Sequence, residues 1–495
     1  MSLALAVLLC FASGYFIASL GLPTYESRCR SRSAELVLRS SLAIGFGLGL
    51  FSVVYFLSLI FAPTHLVAID IVVTAFLLAA FLLFRNRRAS SSATQPAHDN
   101  SYLPQWLDRL LSASFLIASL AAIYAAVLRT LAHPHGDGWD AFAIWNLHAR
   151  FLFLGVSHWR DMFSSQIPWS HPDYPLLLPA AIAHFWTYLG HDSAAIPAAI
   201  ALAFTFGTVG LLFSALVLLR GRIPALLAGL ALCATPAFIE QGTSQYADVP
   251  LSFFFLAAIV MLALHDQTRS TPETNSARPA RGPLILAGLA CSFAAWTKNE
   301  GLLFLFALFT ARGLELLLSR RALTRDRLDH RSPPNGHPRN WLNFAALLAS
   351  VAPALLLIAC FKHFLAPPGD LLTDRAAALH KLLSPARYWI ILQWYAKESL
   401  RFGGWLAIPG TLLLAALYWV LRTRNSDRPS IPIRASVITL SFTLAGYFAI
   451  YIITPYDLYW HLRFSLNRLF LQLWPGILFL LFLTWPWAHS ETEST

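Results

Sequence analysis

Residues 195–222 read AIPAAIALAFTFGTVGLLFSALVLLRGR, a run with no charge before Arg220, Gly221 and Arg222. A spanning helix needs about 20 apolar residues, so this run is long enough to cross a bilayer. Lys and Arg collect in cytoplasmic loops, so the arginine pair marks the cytoplasmic end. The stretch just before it, 175–190, is a test of that orientation. It is shorter than a normal crossing and holds two prolines and His184. Counting it as a span would turn Arg220 and Arg222 outward, so we read it as a re-entrant or surface-lying helix.

Working outward, further basic stretches at 28–39, 85–88, 269–281, 320–339 and 422–434 take the same cytoplasmic side. The predicted helices then run over 3–21, 41–61, 67–84, 111–131, 194–219, 223–239, 250–265, 284–297, 302–318, 341–365, 404–421, 435–454 and 469–487. That is an all-α integral membrane protein with about thirteen transmembrane helices. The same alternation puts 132–193, 240–249, 298–301, 366–403 and 455–468 outside, the longer ones with juxtamembrane helices. We divide the chain into N-terminal transmembrane helices (1–88), a cytoplasmic linker (89–109), a core (110–318), a second linker (319–340) and a C-terminal transmembrane part (341–495).

Composition agrees: 57% of the 495 residues are hydrophobic and 12% charged, far from a soluble chain. The opening run, 3–20, lacks a basic start and an obvious cleavage site, and we expect a retained helix and not a signal peptide. The net charge of +11 comes from arginines in short loops, which reports topology and argues against a nucleic-acid partner. Five scattered cysteines form no CxxC pair, which argues against a disulfide framework or a zinc site.

Charged clusters gather in the outer loops. The first holds His135, Gly136, Asp137, Gly138, Trp139, Asp140, Ala141 and Phe142, then Trp145, Asn146, His148 and Arg150. Carboxylates beside glycines and aromatics suit a general base that meets a sugar hydroxyl, although Asp137 and Asp140 equally suit helix capping. His171, Pro172 and Asp173 form a rigid acidic turn. Asp248 stands two residues before Pro250 at a helix start, where capping is again an alternative. Lys298 and Glu300 sit in a tight link at the bilayer edge, where burying charge is costly. The last outer loop brings Asp457, Arg463 and Arg468 among aromatics. A basic outer loop runs against the charge rule, and arginine forks that bind phosphate supply a reason. The loop 366–403 reads as an amphipathic helix lying on the membrane.

Taken in order, the Gly138–Trp139–Asp140 loop through Arg150, the His171–Pro172 turn, the Asp248–Val249–Pro250 helix start and the Thr297–Lys298 link resemble the C-type (GT-C) integral-membrane glycosyltransferases. The protein mannosyltransferase and lipid A aminoarabinose transferase branch, with the Rgt-like domain of galacturonic acid transferases, is the most similar, over roughly residues 110–310. The resemblance implies a GT-C-like bundle and an inverting, metal-independent transfer of sugar from a polyprenyl-phosphate donor to an acceptor hydroxyl on a glycan, lipid or protein. It implies an active site on the outer face of the plasma membrane. Asp140 matches the family's candidate base, with Asp137 as the second candidate, and the family places Asp–Glu where this chain has Asp140–Ala141. Asp248 matches the family's second acidic position, and His171 and Asp173 match its His–Pro–Pro turn, with Asp173 in place of a proline; we expect these three to orient donor or acceptor. Lys298, Arg463 and Arg468 are the expected phosphate ligands. No cofactor is expected, with a divalent metal left open. The rival reading is a transporter or flippase of a lipid-linked glycan, which would tend to carry its charges near the midplane on repeated, broken helices.

Overall fold

The computed structural model describes residues 2–23, 29–85, 105–269, 281–328, 340–372, 374–405 and 432–484. Among these the protein is helical, with no strand. Three N-terminal helices come first: α1 (Leu3–Gly21), α2 (Cys29–Phe61) and α3 (Leu66–Arg85). Next are α4 (Gln105–Ala132), a π-helical turn (Ala141–Trp145), α5 (Asn146–Leu154), α6 (Leu177–Leu189) and α7 (Ala195–Arg220). Then follow α8 (Arg222–Cys233), α9 (Pro236–Thr243), α10 (Asp248–Arg269), α11 (Gly282–Thr297), α12 (Asn299–Leu328) and α13 (Asn340–Phe364). The described chain ends with α14 (Arg375–Leu382), α15 (Pro385–Arg401), α16 (Arg434–Ile453) and α17 (Leu458–Leu483).

Ten of these helices are long and apolar enough to cross a membrane. Two more expected spans are present in altered form. The run 223–239 is a pair, α8 and α9, bent by 64° at the break before Pro236, and 284–297 is the 16-residue α11. All but the first two residues of the expected helix 404–421 lie outside the described residues, as do most of the two linkers.

Boundaries moved where charges have partners. α2 starts well before the expected 41, because Arg39 is bonded to Glu35 one turn away at 2.5 Å and to the Pro23 carbonyl at 3.0 Å. A paired arginine no longer ends a helix. α17 starts at Leu458 and not at 469, so most of the expected outer loop 455–468 is helical; Asp457 caps it by accepting from the Trp460 backbone N–H at 2.8 Å.

α10 is the centre of the bundle, buried along its length and packed against α7, α11 and α17. Helices in lipid gain little from hydrophobic contact with one another and associate through close packing of small residues. Gly14 of α1 and Gly47 of α2 show this: an added Cβ at either would overlap the backbone of the other helix. α2 also packs on α6 and α7, so the N-terminal helices are built into the core.

α6 settles the ambiguity at 175–190. Its 13 residues span about 20 Å, too short to cross. Eleven of them are buried, so it is an inserted helix and does not lie on the surface. Asp70 of α3, itself fully buried, holds it through His184 Nε2 at 2.8 Å and Tyr188 Oη at 2.6 Å. The expected surface helix at 366–403 is two helices, α14 and α15, with exposed Leu379, Trp389 and Leu392. Lys381 and Arg387 donate to the Thr454, Ile452 and Tyr451 carbonyls at the C-terminal end of α16, where the helix dipole favours cations.

Candidate active site

Four separate segments deliver charge to one end of the bundle. Asp140 precedes the π-helical turn, a local irregularity often found at functional sites. Gly138 makes the approach possible: its φ of +92° suits glycine, and a Cβ there would overlap Tyr246 Oη. Asp248 opens α10, Lys298 lies in the link between α11 and α12, and Arg468 comes from α17.

Arg468 joins the two aspartates. Its Nη2 donates to Asp140 Oδ2 at 2.6 Å and its Nε to Asp248 Oδ2 at 2.8 Å. Its guanidinium lies over the Tyr246 ring, 4.6 Å from the centroid. Asp248 is fully buried, and its other oxygen accepts from Gln472 Nε2 at 2.6 Å and faces Lys298 Nζ at 3.5 Å. Lys298 is paired in turn with Glu300 at 2.7 Å. Burial works against the charge on Lys298, but Asp248 and Glu300 outweigh it and hold its pKa above the ordinary lysine value. Burial, with Asp140 nearby, pushes the Tyr246 phenol up to about 12, so it stays a donor.

The capping alternative is thereby decided for both aspartates. Asp140 makes no capping hydrogen bond, and the oxygens of Asp248 are bonded to side chains. Asp140 keeps partial access, with a side chain 22% exposed. Beside it Trp139, Phe142 and Trp169 form an exposed aromatic patch, with Trp139 5.4 Å from Phe142 and 5.7 Å from Trp169. Such faces stack on sugar rings or apolar groups.

A second cluster adjoins the first through Asn299. Asn299 Nδ2 donates to Asp173 Oδ2 at 2.8 Å, and Lys362 of α13 donates to Asn299 Oδ1 at 3.0 Å and to the Asp173 carbonyl. His171 sits in the left-handed region at φ 51° and stacks on Tyr174, the kind of strained backbone that clusters at functional sites. Tyr174 also stacks on Trp145, and Lys298 lies 5.9 Å from its ring. Burial, then Glu300 and Asp173, raises the Tyr174 phenol well above its usual range. His171, Asp173 and Asp370 bring ligand atoms within 4.8 Å of one another, donors of the kind a divalent cation takes. Lys362 and Tyr456, however, already engage Asp173 and Asp370.

Of the residues singled out in the sequence, Asp140, Asp248, Lys298 and Arg468 meet in one network, and His171 and Asp173 meet next to it. Asp137 and Arg463 go elsewhere. Asp137 is bonded to Arg129 at 2.5 Å, in a group with Glu240. Arg463 is exposed and lies over Phe464; five residues before Arg468 on a helix, it faces about 140° away. The sequence reading did not single out Tyr246, Gln472, Asn299 or Lys362 as site residues. Gln472 had a signal, standing one helical turn after Arg468; Lys362, inside an apolar helix, had a second in its intramembrane charge.

No curated protein matches the chain, and no solved structure does. Residues 176–365, from the start of α6 to the end of α13, match the family model of the dolichyl-phosphate-mannose-protein mannosyltransferases, a family of the C-type membrane fold, and this match supports a multi-pass membrane glycosyltransferase that draws its sugar from a polyprenyl-phosphate donor.

Proposed function

We propose that the protein transfers a sugar from a polyprenyl-phosphate donor to an acceptor hydroxyl, with inversion, at the outer face of the membrane. The observation that supports this best is Arg468, which bridges the accessible Asp140 and the buried Asp248. Asp140 accepts the proton of the acceptor hydroxyl while that oxygen attacks the anomeric carbon and the bond from this carbon to the phosphate oxygen breaks. Only Oδ2 of Asp140 is bonded among the described residues, which leaves the other oxygen for the acceptor.

Polyprenyl phosphate leaves with negative charge, and Arg468 and Lys298 stand where that charge develops. Arg468 uses Nε and Nη2 on the aspartates, so Nη1 remains for a phosphate oxygen. Donors fixed in place before the reaction stabilise such charge most, because nothing must reorganise when it forms. Asp248 acts through these cations: it holds both at one point. His171 and Asp173 border the site through Asn299 and orient the donor or acceptor. The reaction as proposed draws on no cofactor, since two side-chain cations carry the phosphate charge.

The test is transfer of labelled sugar from a set of polyprenyl-phosphate sugars by membranes holding the wild type or Asp140→Asn. Loss of a general base costs about 10²–10⁴-fold in rate. Transfer by Asp140→Asn at the wild-type rate, with the protein folded, would remove Asp140 from the mechanism. Movement of a lipid-linked glycan across vesicles, with no transfer from any donor, would establish a transporter instead.

A further inference from the structure

α17 carries one polar face. His461, Ser465, Arg468 and Gln472 stand four, three and four residues apart, so on a helix all of them fall within about 60° of one another. Arg468 and Gln472 bond Asp248 from this face, and Ser465 meets Tyr451 of α16 at 2.6 Å. His461 is the member nearest the start of α17, and the mechanism above does not use it. It stands two helical turns from Arg468, a rise of about 10.5 Å. Lys298 of the charged network, and His171 and Asp370 of the second cluster, are close enough to act on it electrostatically. Its ring packs on Tyr451 and Tyr456, with centroids 4.9 and 5.6 Å away.

The bonds around the ring fix where its proton sits. Thr454 is fully buried; its Oγ1 accepts from the Tyr456 backbone N–H at 3.3 Å and lies 2.8 Å from His461 Nδ1. A buried hydroxyl must also place its own proton, and among the described residues Nδ1 is the acceptor within its reach. With Thr454 donating to Nδ1, the neutral ring carries its proton on Nε2. Nε2 has no partner among the described residues and is not sealed from solvent. The fold thus presents a fixed, uncharged N–H donor beside the charged network.

Such a donor suits a sugar hydroxyl, whereas the phosphate already has two cations, Arg468 and Lys298. A sugar ring hung on a phosphate at Arg468 covers most of the rise to His461. We propose that His461 Nε2–H donates to a hydroxyl of the sugar that the polyprenyl phosphate carries, so that α17 holds the donor at two points. This rests on the transfer reading above. Thr454 is a positioning residue: it sets the tautomer and the plane of the ring.

The experiment measures the affinity of the full chain in mixed micelles for polyprenyl-phosphate mannose, glucose, galactose and arabinose. The reference is polyprenyl methyl phosphate, which has the same single charge and no sugar. The wild type is expected to bind at least one sugar-bearing lipid about tenfold more tightly than the reference. His461→Phe keeps a ring against the tyrosines; it lowers that affinity about tenfold and leaves the reference lipid within about twofold, which also reports a folded protein. His461→Gln recovers most of the loss, because its side-chain amide N–H can stand in for Nε2–H. Thr454→Val weakens the same lipid, and Thr454→Ser does not. Sugar-lipid affinity unchanged in His461→Phe, an equal loss for the reference lipid, or a His461→Gln no better than His461→Phe would each overturn the proposal. So would a wild type that binds no sugar-bearing lipid above the reference. Transfer of labelled sugar from the same lipids separates this inference from the reading it rests on. Binding that depends on His461 without any transfer would sink the transfer reading alone; transfer with binding indifferent to His461 would sink this inference alone.

Discussion

Replacing Arg468 with Gln tests whether the charged network is a coupled unit. Arg468 lies 2.6 Å from Asp140 and 2.8 Å from Asp248. At an effective dielectric of about 20, each contact carries roughly 6 kcal/mol of Coulomb energy. Desolvation offsets much of this, and removing one partner of a buried pair costs about 3–5 kcal/mol. Arg468→Gln is expected in that range, because it leaves the fully buried Asp248 with only Lys298, at 3.5 Å, as a cation. Asp248→Asn is milder, about 1–3 kcal/mol. Each cation then keeps a carboxylate, Arg468 with Asp140 and Lys298 with Glu300 at 2.7 Å. The double variant lacks the uncompensated charge, so its cost should fall short of the summed single costs by about 2 kcal/mol. Reversible unfolding of the full chain in mixed micelles measures all three. Additivity within about 0.5 kcal/mol would refute the coupling, and with it the view that Asp248 exists to hold Arg468.

Asp137→Asn and Arg463→Gln should each transfer sugar within about threefold of the wild type, since surface pairs contribute about 0–1 kcal/mol and neither residue joins the network; a loss of the size expected for Asp140→Asn would put them back in the site. Tyr246→Leu removes the ring beneath Arg468 and should lower the transfer rate about tenfold, whereas Tyr246→Phe keeps the ring and should lose much less; equal losses in the two would assign the effect to the hydroxyl. His148 gives a pH signature. Burial, with His171 adding to it, lowers its pKa from 6.5 to about 4, so the unfolded chain takes up a proton that the folded protein refuses. Stability should be level above pH 6.5 and fall by about 3 kcal/mol as the pH drops toward about 4. Unfolding midpoints against pH should show that fall in the wild type and lose most of it in His148→Gln; an unchanged slope in the variant would refute this origin.

The membrane helices were legible because a bilayer demands long charge-free runs, and α7 is such a run. What sequence could not show is which charges are answered. Arg39 and Arg468 read as loop residues because hydropathy counts them as unpaired. In the fold Arg39 finds Glu35 one turn away, and Arg468 finds Asp248 and Asp140, 220 and 328 residues distant. Both helices therefore extend through residues that would otherwise end them. The same long-range pairing brings the candidate residues together. Asp140 and Asp248 each stand where a cap belongs, and local pattern alone could not separate capping from chemistry. Their oxygens turn to a guanidinium and not to backbone N–H groups, which a surface cap has no reason to do. The family match stops at 365 and contains Asp248 and Lys298 but neither Asp140 nor Arg468. Both ends of the Arg468 to Asp140 pair thus lie outside the matched stretch, one before it and one after, and close over the Asp248 and Lys298 that it supplies. The matched stretch alone holds the buried carboxylate and the lysine of the network but not the partly exposed Asp140. The flanking segments complete the charged network, and the buried hold of Asp70 on His184 and Tyr188 fixes the inserted helix that follows the His171–Asp173 turn. That gives the N-terminal helices a physical role in placing it.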